Sequence, residues 1–470
     1  MGVMSENERL LVRLALIFLA GIFLISSPRP QAVVEASAAL EQAHRAGNFL
    51  AQAEAAAALA ARQSWRVGLW EKSARFALAA GDQELAVEYL LEAQSRGELT
   101  PAGRFGLGET YLQLGEVDRA EQVWEELPEH PDALRSLAAL HTRQGDFPTA
   151  VRDWSAYLKL IPEPPGPDIR EQIGLLFAAH QPEQALSHLE AAAPASARAE
   201  RLAAVLREAS GESRAYQLLR AGQTLAALGE WQLAEYAMRR AVDLRPDYPE
   251  AWVYWGEALQ HVQDPDPDPG QALEKALDLA PESPLANLFY GLYLQRQDRH
   301  LQALDYFRAA ESGWPDHPEV YFEQGQSLAV LGDLETAAAE YLEAVEVLPE
   351  DYRTHVRLAE FTLEFHYRVE ELGLPAARRA AGLAPEEPDV LITLGRTFQA
   401  LGDQASAAKA LYRALELAPE SAAAHLQLGV LFLEEENLSR AEGHLRMALE
   451  LAESPVLREQ AASLLTLTER

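Results

Sequence analysis

Apolar residues recur along most of the chain at the three-and-four spacing of a helix that buries one face. They come in blocks of about a dozen residues, about three helical turns, separated by short polar turns. Alternating or β-branched runs are few, so the pattern predicts an all-α protein. It is clearest between Pro284 and Glu350, where PLANLFYGLYLQRQDRHLQALDYFRAAESGWPDH is followed by PEVYFEQGQSLAVLGDLETAAAEYLEAVEVLPED. Superposing Gly291 on Gly325 places Ala303 over Ala337, Phe307 over Tyr341, Ala310 over Ala344 and Pro315 over Pro349. Each copy predicts two amphipathic helices joined by a polar turn, Gln297-Asp298-Arg299 in one and Leu331-Gly332-Asp333 in the other. Small residues at the glycine and first alanine let the two helices cross closely. The aromatic fills the wedge between them, and proline stops the second helix.

The unit repeats. Its anchoring small residue stands at Gly222, Gly256, Gly291, Gly325, Ala359, Gly395 and Gly429, spaced by about 34 residues. Closing prolines follow at Pro246, Pro281, Pro315, Pro349, Pro385 and Pro419. This pattern of small, small, aromatic, alanine and proline resembles the tetratricopeptide repeat. The resemblance implies a right-handed superhelical solenoid of about twelve helix pairs. Residues 214–454 read as a regular array, and residues 31–213 as weaker repeats interrupted by the proline-rich stretch 162–167. Residues 196–210 predict one helix with no partner, and residues 455–470 a helix capping the open apolar edge.

Residues 1–30 differ from the rest. Leu14–Ile25 is unbroken apolar sequence, and from Leu10 to Ser27 the segment is long enough to span a bilayer, with Arg13 able to snorkel to the interface. An N-terminal transmembrane helix is expected, with a cleaved signal peptide as the alternative. Arg9 and Arg13 precede the run and Arg29 follows it, a charge bias favouring a single pass through the plasma membrane with the repeats extracytoplasmic. The chain is read as a membrane-anchored bacterial type.

The formal net charge of -32 argues against nucleic acid as a partner. There is no cysteine, hence no disulfide, thiol nucleophile or Cys-ligated zinc. No HExxH, nucleophile elbow or phosphate-cradling glycine loop occurs, so no enzyme, cofactor or metal is expected. The run Asp264–Gly270 superficially resembles a calcium loop. Proline at alternate positions opposes wrapping round an ion, so it is read as a dispensable solvated turn. His355 falls at a packing position, as do Trp252 and Trp255, while Tyr248 and Tyr254 remain open to a surface role.

In the family that the repeats resemble, partners lie along a concave surface lined by the first helix of each pair. Carried onto this chain, the lining positions are Tyr216, Leu219, Gln223, Val253, Glu257, Leu288, Phe322, Gln326, Val356, Glu360, Ile392 and Arg396. That surface reads as apolar anchors among acids, suited to a basic or amphipathic protein segment. The resemblance thus implies a non-catalytic, membrane-tethered interaction scaffold, for instance in assembly of an envelope or secretion complex. The alternative is a regulatory or structural subunit of a membrane enzyme complex.

Overall fold

The computed structural model describes residues 30–63 and 65–468, and all regular structure among them is helical. The membrane helix expected over residues 10–27 lies outside the described residues. Among those described, no helix is long and apolar enough to cross a membrane.

The described residues form two compact units that divide between Glu200 and Arg201. Five helix pairs fill the first: α1 (Gln31–Arg45) with α2 (Phe49–Arg62), α3 (Leu69–Ala79) with α4 (Gln83–Ser95), α5 (Pro101–Gln113) with α6 (Val117–Glu125), α7 (Pro131–Gln144) with α8 (Phe147–Leu160), and α9 (Pro167–His180) with α10 (Pro182–Ala192). The proline-rich stretch 162–167 forms the α8–α9 connection, and Pro167 starts α9. Helix α11 (Ala197–Glu208) is the single helix expected over 196–210, and it contains the boundary between the units.

Seven pairs make up the second unit: α12 (Arg214–Ala227) with α13 (Trp231–Leu244), α14 (Pro249–Leu259) with α15 (Pro269–Leu279), α16 (Pro284–Arg296) with α17 (His300–Gly313), α18 (Pro318–Val330) with α19 (Leu334–Val347), α20 (Tyr352–Glu364) with α21 (Leu374–Leu383), α22 (Pro388–Ala400) with α23 (Gln404–Leu417), and α24 (Ala422–Glu434) with α25 (Leu438–Leu451). Helix α26 (Pro455–Thr468) ends the stack. Its Ala461 is buried against Leu426, Leu445 and Ala448, which covers the apolar edge left by the last pair.

Within a pair, packing follows the repeat. A Cβ on Gly325 would stand 2.6 Å from Tyr341 and 3.2 Å from the Ala337 carbonyl, so only glycine admits the ring at this crossing. The weaker first unit keeps the contact, for a Cβ on Gly108 would meet Trp124 at 2.3 Å. Turns are built by a glycine–aspartate step. Gly332 takes φ +88°, ending α18, and the Asp333 carboxylate then accepts from the Thr336 backbone N–H at 3.2 Å, capping α19. Gly402 and Asp403 do the same before α23.

Two departures have local causes. The spacing from Ala359 to Gly395 exceeds its neighbours, and the extra residues are taken up by left-handed His366 and Arg368 and a π-helical turn over Val369–Gly373. The run Asp264–Gly270 is not wholly dispensable. Asp264 and Asp266 are exposed, but Asp268 caps α15 through the Gly270 N–H at 2.9 Å and accepts from the Tyr293 hydroxyl at 3.1 Å.

Candidate functional site

The first helices of six of the seven pairs in the second unit, α12 to α22, carry the expected lining positions, and stacking sorts them by depth. Leu219, Val253, Leu288, Phe322 and Ile392 are buried, Val253 and Phe322 almost completely at 0% and 1% exposure. Tyr216, Gln223, Glu257, Gln326, Val356 and Arg396 are half-buried, and Glu360 is exposed. The apolar anchors therefore lie beneath the surface over most of the array. Repeat register identifies the face a residue points to, whereas the approach of the next pair decides whether that face stays open.

Charged rungs between successive first helices close over the buried row. Arg296 of α16 forms a two-pronged pair with Glu257 of α14, at 2.8 and 2.9 Å, and also donates to Gln260. Burial pushes the Glu257 carboxyl up, but Arg296, helped by His261, outweighs it and holds the group below the usual carboxylate range. Two steps along, Arg357 of α20 reaches back to Glu319 and to Glu323 of α18, the latter at 3.1 Å, and covers the Phe322 ring. Arg396 of α22 approaches Glu360 of α20 at only 4.0 Å. Gln326 is engaged inward, accepting from the Tyr341 hydroxyl at 3.0 Å.

Toward the end of the array the row opens into a cleft of about 640 Å³. Val356, Ile392 and Leu426 supply its apolar lining, with Arg353, Arg357 and Arg396 set among Glu360, Glu387 and Asp389. Of the twelve expected positions, the structure brings together Val356, Glu360, Ile392 and Arg396 here; the others lie elsewhere along the array. Although Glu360 keeps part of its surface open, partial desolvation by the cleft walls, reinforced by Asp389 and Glu364, keeps its carboxyl above the ordinary range despite Arg396 and Arg357. A cation brought to this carboxylate would meet a group short of compensation. Leu457 and Gln460 of α26 also line the cleft, a contribution that the repeat register could not reveal because that helix follows the last repeat. Beside it, Leu426, Val430, Val456 and Leu464 line a second hollow of about 650 Å³.

Other singled-out residues have structural partners. Trp255 is buried and donates its Nε1–H to Glu235, whereas Trp252 is half-buried and donates to the Pro246 carbonyl. Tyr254 packs edge-on to Phe289, and Tyr248 lies under the Arg245 guanidinium. The His355 Nε2 meets the Pro349 carbonyl at 2.9 Å. Sequence spacing missed two histidine arrangements that arise only across helices. His425 and His444 stand with their Nδ1 atoms 3.0 Å apart, and burial depresses both imidazoles. Buried His141 lies between Asp153 at 2.7 Å and Glu121 at 3.1 Å. Among the described residues, no group of three or more His, Cys, Asp and Glu is placed to hold a metal ion.

The tetratricopeptide repeat family matches residues 72–127, 219–284, 268–318, 291–352 and 392–455, together more than half of the chain. No curated protein matches it. Among solved structures, the Cut9–Hcn1 hetero-tetramer of APC/C is similar over 97% of this chain and 99% of that one, at 13% identity and a TM-score of 0.39. A tetratricopeptide repeat protein from Parabacteroides merdae is 15% identical, with 55% and 99% covered and a TM-score of 0.42. PilW, a type IV pilus biogenesis factor, is 18% identical, with 45% and 96% covered and a TM-score of 0.40.

Proposed function

The chain belongs to the tetratricopeptide repeat family, and from that premise we propose a non-catalytic scaffold that holds a segment of a partner protein in the cleft between Val356 and Leu457. What carries this reading is the meeting of apolar lining and paired charge in one open space. Val356, Ile392 and Leu426 offer burial to apolar side chains, while the loose Arg396–Glu360 contact leaves both charges free to exchange partners. The segment that fits is amphipathic and includes a basic residue for Glu360, Glu387 or Asp389. The same cleft also presents arginine, so uniformly basic sequence is disfavoured.

The apolar run Leu14–Ile25, within a segment from Leu10 to Ser27, supports tethering of this scaffold to a plasma membrane, and the charges about it support an outer placement of the repeats; we propose for the tethered scaffold a role in assembling a bacterial envelope or secretion complex. A photo-crosslinker at position 356 of the full-length chain in native membranes tests the cleft. It should capture one partner, and Arg396→Glu should abolish capture while the array still melts as a cooperatively folded protein.

A further inference from the structure

The connection between α2 and α3 is built unlike the other turns. The Arg66 backbone N–H donates to the Gln63 carbonyl at 2.9 Å, and Gly68 at φ +85° then starts α3. Trp65 and Val67 are each 71% exposed, although both are side chains that folding ordinarily buries. Arg62 and Arg66 flank them, both exposed. Their guanidinium groups donate to the Ala58 carbonyl and to the Gln63 side chain, and among the described residues neither forms a carboxylate ion pair. The carboxylates at this end are otherwise occupied, for Glu35 accepts from Gln31 and Glu71 accepts from the Thr100 backbone N–H.

Position gives the patch its meaning. Helices α1 and α2 run antiparallel through a short turn, so the start of α1 and the end of α2 share one end of the pair. Val33 of α1, Leu59 of α2 and Leu69 of α3 pack in a single cluster there. The chain enters α1 at Pro30, three residues after the apolar run that ends at Ser27. A tether in that run would hold the start of α1 within about 10 Å of the bilayer, the reach of so short a link, and so would bring the Trp65 turn, at the same end of the pair, toward the membrane.

We infer that the Trp65–Val67 turn is a second membrane contact, with Trp65 and Val67 in the interfacial zone and Arg62 and Arg66 on the phosphates of anionic lipid. Tryptophan and arginine together match the two properties of that zone, an apolar boundary under a layer of negative charge. Such a contact would fix the orientation of the first helix pair on the membrane, which a single flexible tether does not. The inference rests on the tethering proposed above.

Because the chain has no cysteine, Val67→Cys carries a single environment-sensitive fluorophore. The full-length labelled chain would be reconstituted into vesicles of phosphatidylcholine with phosphatidylglycerol, with Arg119→Cys, at an exposed position of α6, as reference. The label at 67 should shift to the blue and lose most of its emission to a headgroup-level nitroxide lipid, while the label at 119 does neither. Combining Arg62→Glu and Arg66→Glu with Val67→Cys should remove both effects while the protein still floats with the vesicles. A water-like, unquenched label at 67 on a chain that floats would overturn the inference and leave the tether standing. A chain that fails to float overturns both. Protection that needs other membrane proteins, and is absent with lipid alone, would assign the turn to a protein partner instead.

Discussion

The guanidinium of Arg357 lies over the ring of Phe322, 4.1 Å from its centre. Glu319 and Glu323 hold it there, so the largest apolar residue on the expected binding face is sealed beneath an ion pair. Phe322 belongs to the packing between pairs. Phe322→Ala should lower stability by about 3–5 kcal/mol, the usual range for emptying a buried aromatic site. Arg357→Ala should lower it by only about 1 kcal/mol, since the guanidinium is partly exposed. Thermal unfolding of the two variants checks the ordering.

Close helix crossing sets the tolerance of each glycine. Gly325→Ala would press its methyl against Tyr341 and toward the Ala337 carbonyl, and the backbone atom cannot swing away. A loss of about 1–3 kcal/mol is expected, and Gly325→Trp should disrupt the pair altogether. Gly106, also helical, has nothing within 4 Å of its would-be Cβ. Gly106→Ala should therefore raise stability by about 0.5–1 kcal/mol through helix propensity. Denaturant melts of the two alanine variants should move in opposite directions.

These two glycines also show what was legible in the chain. Gly325, Tyr341 and Pro349 recur at fixed offsets because one helix pair cannot bury its apolar face alone, and each unit meets the same geometric demand. The pairs in the second unit could therefore be read residue by residue. Depth could not. Val253 and Val356 occupy equivalent positions, yet the first is fully buried and the second lines a cleft. The difference comes from how the neighbouring pairs and α26 sit, which no local pattern encodes. Partners across helices, such as Arg296 with Glu257 between successive pairs or His425 with His444 within one pair, were hidden because they depend on how the helices sit rather than on spacing along the chain.

The Arg296–Glu257 pair makes stability depend on pH. Glu257 titrates below its ordinary range in the folded state, so its contribution is complete above the unfolded value and fades as pH falls through the folded one. Arg296→Ala leaves a mostly covered carboxylate without its main partner and should cost about 1–3 kcal/mol at neutral pH. The gap to wild type should narrow as pH falls below the ordinary carboxylate range, as seen in melting curves taken on both sides of it.

Glu340 behaves in the opposite sense. Burial and the nearby Glu311 and Glu343 raise its carboxyl from 4.5 to about 7, with Arg308 opposing. The folded state then holds the proton more tightly than the unfolded state. No penalty exists below the unfolded value, it grows as pH rises from 4.5 toward 7, and it is complete above that. Glu340→Gln should therefore raise the melting temperature at pH 8 and change it little at pH 5. An equal gain at both values would show that the carboxyl is not held protonated.

The most direct test of the scaffold is the position dependence of partner capture from native membranes. Photo-crosslinkers would be placed at position 356 in the cleft and at position 413, an exposed site on the second helix α23. The same partner should crosslink strongly from 356 and weakly from 413. The companion variant Ile392→Ala with Arg396→Glu should lose that capture while melting as a folded array. Equal capture from both positions, unaffected by the cleft substitutions, would contradict the assignment of binding to this cleft.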